Sequence, residues 1–213
     1  MPGTNVCSNA QVIQWSINCM SQICIISASQ RAESNSRRIS DLLNQRYLDG
    51  NASLIDLHEQ PLPLWDGAQA DDEFVSSARA KANAADGFVF VVPEWHGMAP
   101  AALKNLLLWL GKEELAHKPV LLVAVSGSVG GAFVIAELRS SGYKNSRLLF
   151  LPEHLILRDA NDLWSGQSGR DSDEYLDKRS RYAVDQLLTY AGALAPLREQ
   201  LTAGLADFGN GMS

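Results

Sequence analysis

The stretch DGFVFVVPEWHGMAPAALKN, residues 86–105, constrains the fold more than any other part of the chain. An apolar run at residues 87–92 stops at a polar loop bounded by Pro93 and Pro100, and a helical pattern starts directly after it. A run without polar alternation predicts a strand buried on both faces, the mark of a parallel sheet covered by helices. Parallel strands of an open α/β sheet carry ligands just beyond their carboxyl ends. Residues 93–100 are therefore expected to lie in a ligand crevice.

The rest of the chain repeats this alternation. Strands are predicted at residues 23–27, 53–57, 87–92, 119–126 and 147–151, with helical spacing at 35–46, 72–84, 100–110, 131–140 and a long segment at 172–201. In the first helix Ile39, Leu42 and Leu43 fall on one side and Ser34 stands at the N-cap position. Pro100 suits the first turn of the third helix. Alternating strands and helices without an internal repeat predict one domain, an α/β three-layer sandwich with a five-stranded parallel sheet of the flavodoxin-like, doubly wound type. Residues 1–19 carry Pro2, Gly3 and scattered polar residues without a secretory pattern, so they are expected to form a loose extension to a domain at 20–213.

Composition removes several classes of function. A chain of 213 residues that is 46% hydrophobic and 20% charged has the make-up of a water-soluble domain, and no apolar run is long enough for a membrane span. A net charge of −6 without a lysine–arginine cluster argues against a nucleic-acid partner. Cys7, Cys19 and Cys24 form no C-x-x-C pair and show no metal spacing, which fits a reducing, cytoplasmic compartment and no metal site.

In a sheet of this type the loops after the first, third and fourth strands meet. The first contains Ser29, Arg31, Ser34 and Ser36 and runs into a helix. Free N–H groups at a helix start, hydroxyls and a guanidinium together match a phosphate monoester; read alone, the same residues also make an ordinary N-cap beside a solvated arginine. The loop after the third strand, Pro93-Glu94-Trp95-His96-Gly97, joins an aromatic ring, an imidazole and a glycine whose bare Cα lets a flat ligand approach. Its plainer reading is a surface cap with a solvated histidine. The loop after the fourth strand, Ser126-Gly127-Ser128-Val129-Gly130-Gly131, offers backbone donors for the edge of a ring bearing carbonyl oxygens, or simply a tight turn. It also approximates the nucleophile elbow G-x-S-x-G with Ser126 in place of the first glycine. That hydrolase reading requires Ser128 with His154 and either Glu137 or Glu153.

These segments, taken with Ile55-Asp56-Leu57, Pro61-Leu62-Pro63, Asp86, Leu103-Lys104-Asn105, Lys118-Pro119-Val120 and Leu138-Arg139, resemble the NADPH-dependent FMN reductase family over residues 23–151. The resemblance implies a flavodoxin-like fold, bound FMN, NADPH or NADH as electron donor and a quinone, free flavin or similar small molecule as acceptor. It places the family's S-x-R-x-x-S phosphate loop on Ser29, Arg31 and Ser34, with Ser36 where many members have asparagine. Its P-E-Y-N-G flavin loop falls on Pro93, Glu94, Trp95, His96 and Gly97, with Trp95 for tyrosine and His96 for asparagine. Leu108 stands where members often have aspartate. The resemblance further implies a homodimer or homotetramer, with which the apolar run Leu106-Leu107-Leu108-Trp109-Leu110 is compatible.

No protein nucleophile is needed for hydride transfer through a flavin, since the protein supplies position and electrostatics. Backbone donors among Ser126, Gly127, Ser128 and Gly130 are the candidates for stabilising the ring's electron-accepting edge. His96 tunes that charge, protonates a quinone product, or sits hydrogen-bonded at the flavin margin without catalytic duty. Glu94 and Lys104 are read first as structural or interface residues that pair or satisfy local backbone, and Arg139 as an anchor for a neighbouring loop or subunit. Two further functions stay open at this point: a flavin-binding electron carrier or regulatory protein, motivated by Trp95 and His96, and the serine hydrolase.

Overall fold

The computed structural model describes residues 21–68, 71–165 and 171–209. The expected N-terminal extension lies outside the described residues. Five parallel strands, β1 (Ile23–Ser27), β2 (Ser53–Asp56), β3 (Gly87–Pro93), β4 (Pro119–Val125) and β5 (Leu149–Leu157), form one sheet in the order β2-β1-β3-β4-β5. That is the doubly wound arrangement predicted, with the switch in strand order between β1 and β3.

The helices are α1 (Asn35–Tyr47), α2 (Glu73–Ala84), α3 (Ala101–Trp109), α4 (Lys112–Leu115), α5 (Ala132–Arg139), α6 (Asp171–Leu194) and α7 (Arg198–Thr202). Side chains alternate across a strand, so β3 sends Phe88, Phe90 and Val92 to one face and Val89 and Val91 to the other. The first face packs on α2, α3, α4 and α5 through Ala78, Ala82, Leu103, Leu106, Leu115, Val134 and Leu138. The second packs on α1 and α6 through Ile39, Leu43, Ala183, Val184, Leu187 and Ala191. Burial of all seven β3 residues explains why this segment reads as an unbroken apolar run.

Two boundaries differ from expectation. The last strand does not end at residue 151 but continues to Leu157, through Pro152, Glu153 and His154. Proline and charge normally terminate a strand, yet β5 pairs only with β4, and an edge strand needs no donor on its open side. Arg139 supplies the missing partners there, donating to the carbonyls of Leu151 at 2.6 Å and Pro152 at 2.7 Å. The long final helix also stops early, at Leu194, because Pro196 imposes a 3₁₀ turn at Ala195–Leu197 before the short α7.

Lys118 enters β4 almost wholly buried, and its Nζ donates to the last carbonyls of α2, Ala82 at 2.6 Å and Asn83 at 3.1 Å. Burial draws its ammonium from the usual 10.5 down to about 8, helped by Arg198 and opposed by Asp86 and Glu114. Over that window the unfolded chain holds more protons than the folded one, so this group's contribution to stability rises as pH rises from about 8 toward 10.5. Lys118→Met should remove that alkaline rise from the urea-denaturation profile; parallel profiles for the two proteins would contradict it. Cys24, buried in β1, has its thiol pushed up to about 11 by desolvation and behaves as a small apolar residue.

Candidate functional site

The three loops meet at the carboxyl edge of the sheet. After β1 the chain is held to β3 by Ala28 N–H donating to Val91 O at 2.9 Å and then turns away into α1. Ser29 is buried and its Oγ accepts from Arg31 N at 3.1 Å, which shapes the turn. Ser34 is the N-cap of α1, its Oγ accepting from Arg37 N at 3.1 Å. The N–H groups of Asn35 and Ser36 in the first turn have no intrahelical acceptor, as at any helix start. Arg31 is exposed, and its side chain has no partner among the described residues. Ser27 Oγ and Ser36 Oγ, at the two ends of this loop, are buried with no hydrogen-bond partner.

The loop after β3 is a two-residue hairpin. Trp95 and Met98 exchange backbone hydrogen bonds of 3.1 and 2.9 Å, and the central residues His96 and Gly97 have φ of 53° and 74°. Positive φ at both positions defines a type I′ turn, for which Asn-Gly is the favoured pair. Histidine is one of the few other residues that enter the left-handed region readily, so His96 preserves the turn while replacing the amide with an imidazole. Trp95 is half-buried; His96 and Gly97 are exposed.

Glu94 fastens this loop to the next. Its Oε2 accepts from Phe133 N at 3.0 Å and Val134 N at 3.3 Å, which caps α5, while its own N–H donates to Val125 O at 3.1 Å. Glu94→Ala should lower the urea-unfolding free energy by about 1–2 kcal/mol, the usual cost of a lost helix cap. An unchanged denaturation midpoint would show that water replaces the carboxylate without loss. Lys104 pairs instead with Glu137, whose other oxygen accepts from Ala99 N at 2.7 Å and ties the end of the hairpin to α5. Glu94 and Lys104 thus have different partners within the fold, the start of α5 and Glu137.

After β4, Ser126 Oγ accepts from Ser128 N at 3.2 Å, and the amides of Gly127, Val129 and Gly130 have no acceptor among the described residues. Gly130 lies against Glu94: a Cβ built there would be 2.7 Å from Glu94 Oε1. The loops after β3 and β4 thus touch at Gly130, where a larger residue would have to push the Glu94 carboxylate aside.

A fourth segment borders the site, and sequence reasoning missed it. Residues following β5 bind back to the other loops through Ala160 N to Ser126 O at 3.0 Å, Asp159 N to Ser128 O at 3.2 Å and Asn35 Nδ2 to Asn161 Oδ1 at 2.7 Å. Arg38 reinforces this link, donating to Leu163 O at 2.9 Å and to Ala160 O. Ending β5 at residue 151 hid the segment, since only a strand continued to Leu157 brings these residues level with the end of β4, where Val125 pairs with Leu157. Phe133 was also missed; its ring lies 3.9 Å from where a Gly97 Cβ would be and is 70% exposed.

The hydrolase constellation does not assemble. His154 lies within β5 opposite Leu122, and its Nδ1 faces Arg139 at 3.4 Å. Glu153 pairs with Arg179, and Glu137 with Lys104. None of them is hydrogen-bonded to Ser128, so that serine has no base and the base no orienting acid. Among the described residues no group of three or more His, Cys, Asp or Glu is arranged to hold a metal, and no helix is long and apolar enough to cross a membrane.

Comparison with known proteins agrees with this geometry. NADPH azoreductase of Bacillus sp. (strain OY1-2) is 28% identical over 186 residues, 84% of this chain and 98% of that protein. Quinone reductase of Escherichia coli (strain K12) is 39% identical over 86 residues, 37% of this chain and 46% of that protein. FerB from Paracoccus denitrificans, a flavoenzyme NAD(P)H:(acceptor) oxidoreductase, shares the fold with a TM-score of 0.67 at 20% identity, over 80% of this chain and 97% of that one. The model of one family matches residues 21–162, from β1 through the segment after β5 that closes the site. On the extent of that match, the chain belongs to the NADPH-dependent FMN reductase family.

Proposed function

We propose that the loops described above bind FMN, with its phosphate on the start of α1 and its ring over the loops after β3 and β4, and that the acceptor is a quinone or an azo compound. The chain is an FMN-dependent NAD(P)H oxidoreductase by family. The observation that carries the site assignment is the convergence of loop ends at the switch in strand order, joined at Gly130 to Glu94 and at Asn35 to Asn161.

The residues fit the cofactor. Unpaired first-turn amides, the unpartnered Ser36 hydroxyl, Ser34, Ser29 and the free Arg31 guanidinium make an anion site suited to a phosphate dianion. The hairpin of Trp95, His96 and Gly97, which follows Pro93 and Glu94, leaves flat backbone for a planar ring. Bound FMN supplies the hydride-accepting and hydride-donating chemistry. The amides of Gly127, Val129 and Gly130, fixed by Ser126 and by the segment after β5, stabilise negative charge on the ring edge without reorganising. Overall, NADPH and a proton convert a quinone to a hydroquinone and leave NADP⁺. His96, exposed beside the ring, supplies a solvent-connected group at the margin of the site.

Self-association fits the surface. Met98, Leu108 and Phe133 are 54, 55 and 70% exposed near the linked helices α3 and α5, an apolar excess that a homodimer or homotetramer would cover. A single domain in the cytoplasm is the matching setting. The test is an absorbance spectrum after FMN addition and desalting, then anaerobic NADPH. Retained flavin bands that bleach support the reading. Retained bands that neither NADPH nor NADH bleaches would make the protein an electron carrier, and no retained flavin would remove the site assignment.

A further inference from the structure

The segment after β5 meets the loop after β4 in a regular pattern. Ala160 N donates to Ser126 O at 3.0 Å, Asp159 N to Ser128 O at 3.2 Å and Arg158 Nε to Gly130 O at 3.0 Å. Three consecutive residues thus hold alternate carbonyls of the loop, in the reverse order along the chain. In a trans peptide the N–H points opposite to the C=O, and no peptide bond here is cis. Holding these carbonyls therefore turns the N–H groups of Gly127, Val129 and Gly131 away from the segment. None of the three has an acceptor among the described residues, which suits them to negative charge.

Two of the three contacts come from backbone, and nearly any residue could make them. The third comes from a cation. Arg158 is exposed, and its guanidinium has no other partner among the described residues. The residue it holds also meets an anion, since a Cβ at Gly130 would stand 2.7 Å from Glu94 Oε1. Glu94 cannot turn aside freely, because its Oε2 caps α5 through Phe133 N and Val134 N. A fixed carboxylate there opposes negative charge on a ring edge bound by these amides, and a guanidinium on the same residue offsets it.

We propose that Arg158 is a positioning residue for the ring-edge amides, and that its cation, held on the Gly130 carbonyl, raises the reduction potential of bound FMN. The proposal rests on the FMN reading of the three loops. Arg158 acts through the peptide joining Gly130 to Gly131, whose N–H it aims, and through a charge that favours the reduced over the oxidised ring. Affinity for oxidised FMN rests on the phosphate loop and the hairpin, so Arg158 shifts the balance between oxidation states more than it shifts retention.

The test is a potential measured without pyridine nucleotide. FMN-loaded wild type, Arg158→Gln and Arg158→Lys are reduced anaerobically with dithionite beside a redox dye of known potential, and the two absorbances give the midpoint. Arg158→Gln should weaken binding of reduced relative to oxidised FMN about tenfold, a fall of about 30 mV for a two-electron couple. The Kd for oxidised FMN and the urea midpoint should stay nearly unchanged. Arg158→Lys should recover part of the fall, because a single carbonyl needs only one charged donor. An unchanged potential in Arg158→Gln overturns the proposal. So does an equal loss of affinity for both oxidation states, the mark of a brace that merely shapes the loop, and so does a lysine variant that recovers nothing. If the wild-type protein retains no flavin, the FMN reading fails and this proposal falls with it; retained flavin with an unmoved potential sinks the Arg158 role alone.

Discussion

Gly131→Val is expected to lower stability by about 2–5 kcal/mol, the sum of a backbone penalty and an overpacking penalty. Gly131 caps α5 with φ of 106°, a conformation in which a β-branched residue is strained. Space is also missing, because a Cβ at this position would stand 2.6 Å from Ile156 Cγ2 and 3.4 Å from Ala124 Cβ. Both neighbours belong to paired strands of the sheet and cannot move aside without disturbing β4 and β5. Gly131→Ala should cost less, since it keeps the backbone strain but adds the smallest side chain. Urea denaturation of the two variants measures both effects. A loss below about 1 kcal/mol for valine would mean that the backbone at 131 relaxes out of its positive φ, whose penalty is of that size. The consequence for the site follows from Gly130 next door: any relaxation moves its amide and its contact with Glu94, so Gly131→Val should also weaken FMN retention.

Arg31→Ala should weaken FMN binding by about 1.5–3 kcal/mol, roughly 10- to 150-fold in Kd, through loss of a charge-assisted hydrogen bond to phosphate. The side chain is exposed and unpaired among the described residues, so the same substitution should leave the urea midpoint nearly unchanged. That separation of effects distinguishes a ligand contact from a structural one. Arg31→Lys should recover part of the affinity, because an ammonium keeps the charge and loses the planar fork. The difference between wild type and Arg31→Ala should shrink at high salt. Quenching of FMN fluorescence on titration with protein gives each Kd; an unchanged value for Arg31→Ala would remove the phosphate from this loop.

Much of the fold was legible where local signals agreed with one another. The apolar run at residues 87–92 has every side chain buried because β3 is central in a sheet covered on both faces. Ser34 reads as an N-cap and is one, because its short hydroxyl reaches Arg37 N without help from the rest of the molecule. At His96-Gly97 the sequence was read only as a polar loop, and the structure shows a two-residue hairpin with both residues at positive φ. The reading failed where a distant partner overrides a local signal. Pro152 and Glu153 look like the end of a strand, but they sit at a register shift after which His154 to Leu157 pair with β4 again, and Arg139 on α5 and Arg179 on α6 bind the residues at the shift. Because the strand was read too short, Asn161 and the segment that anchors the loop after β4 went unnoticed.

The sequence by itself determined the order of strands and helices, the burial of the central strand, the caps and turns at the loop ends and the kinds of donor those loops carry. All of these depend on interactions within a few residues or on a periodicity visible in the chain. Tertiary structure alone decided that Glu94 would cap α5, that Lys104 would pair with Glu137, and that His154 would face Arg139 and not Ser128. Each of those pairs joins residues separated by more than a dozen positions, and a side chain's partner across that distance is set by how the layers pack against the sheet.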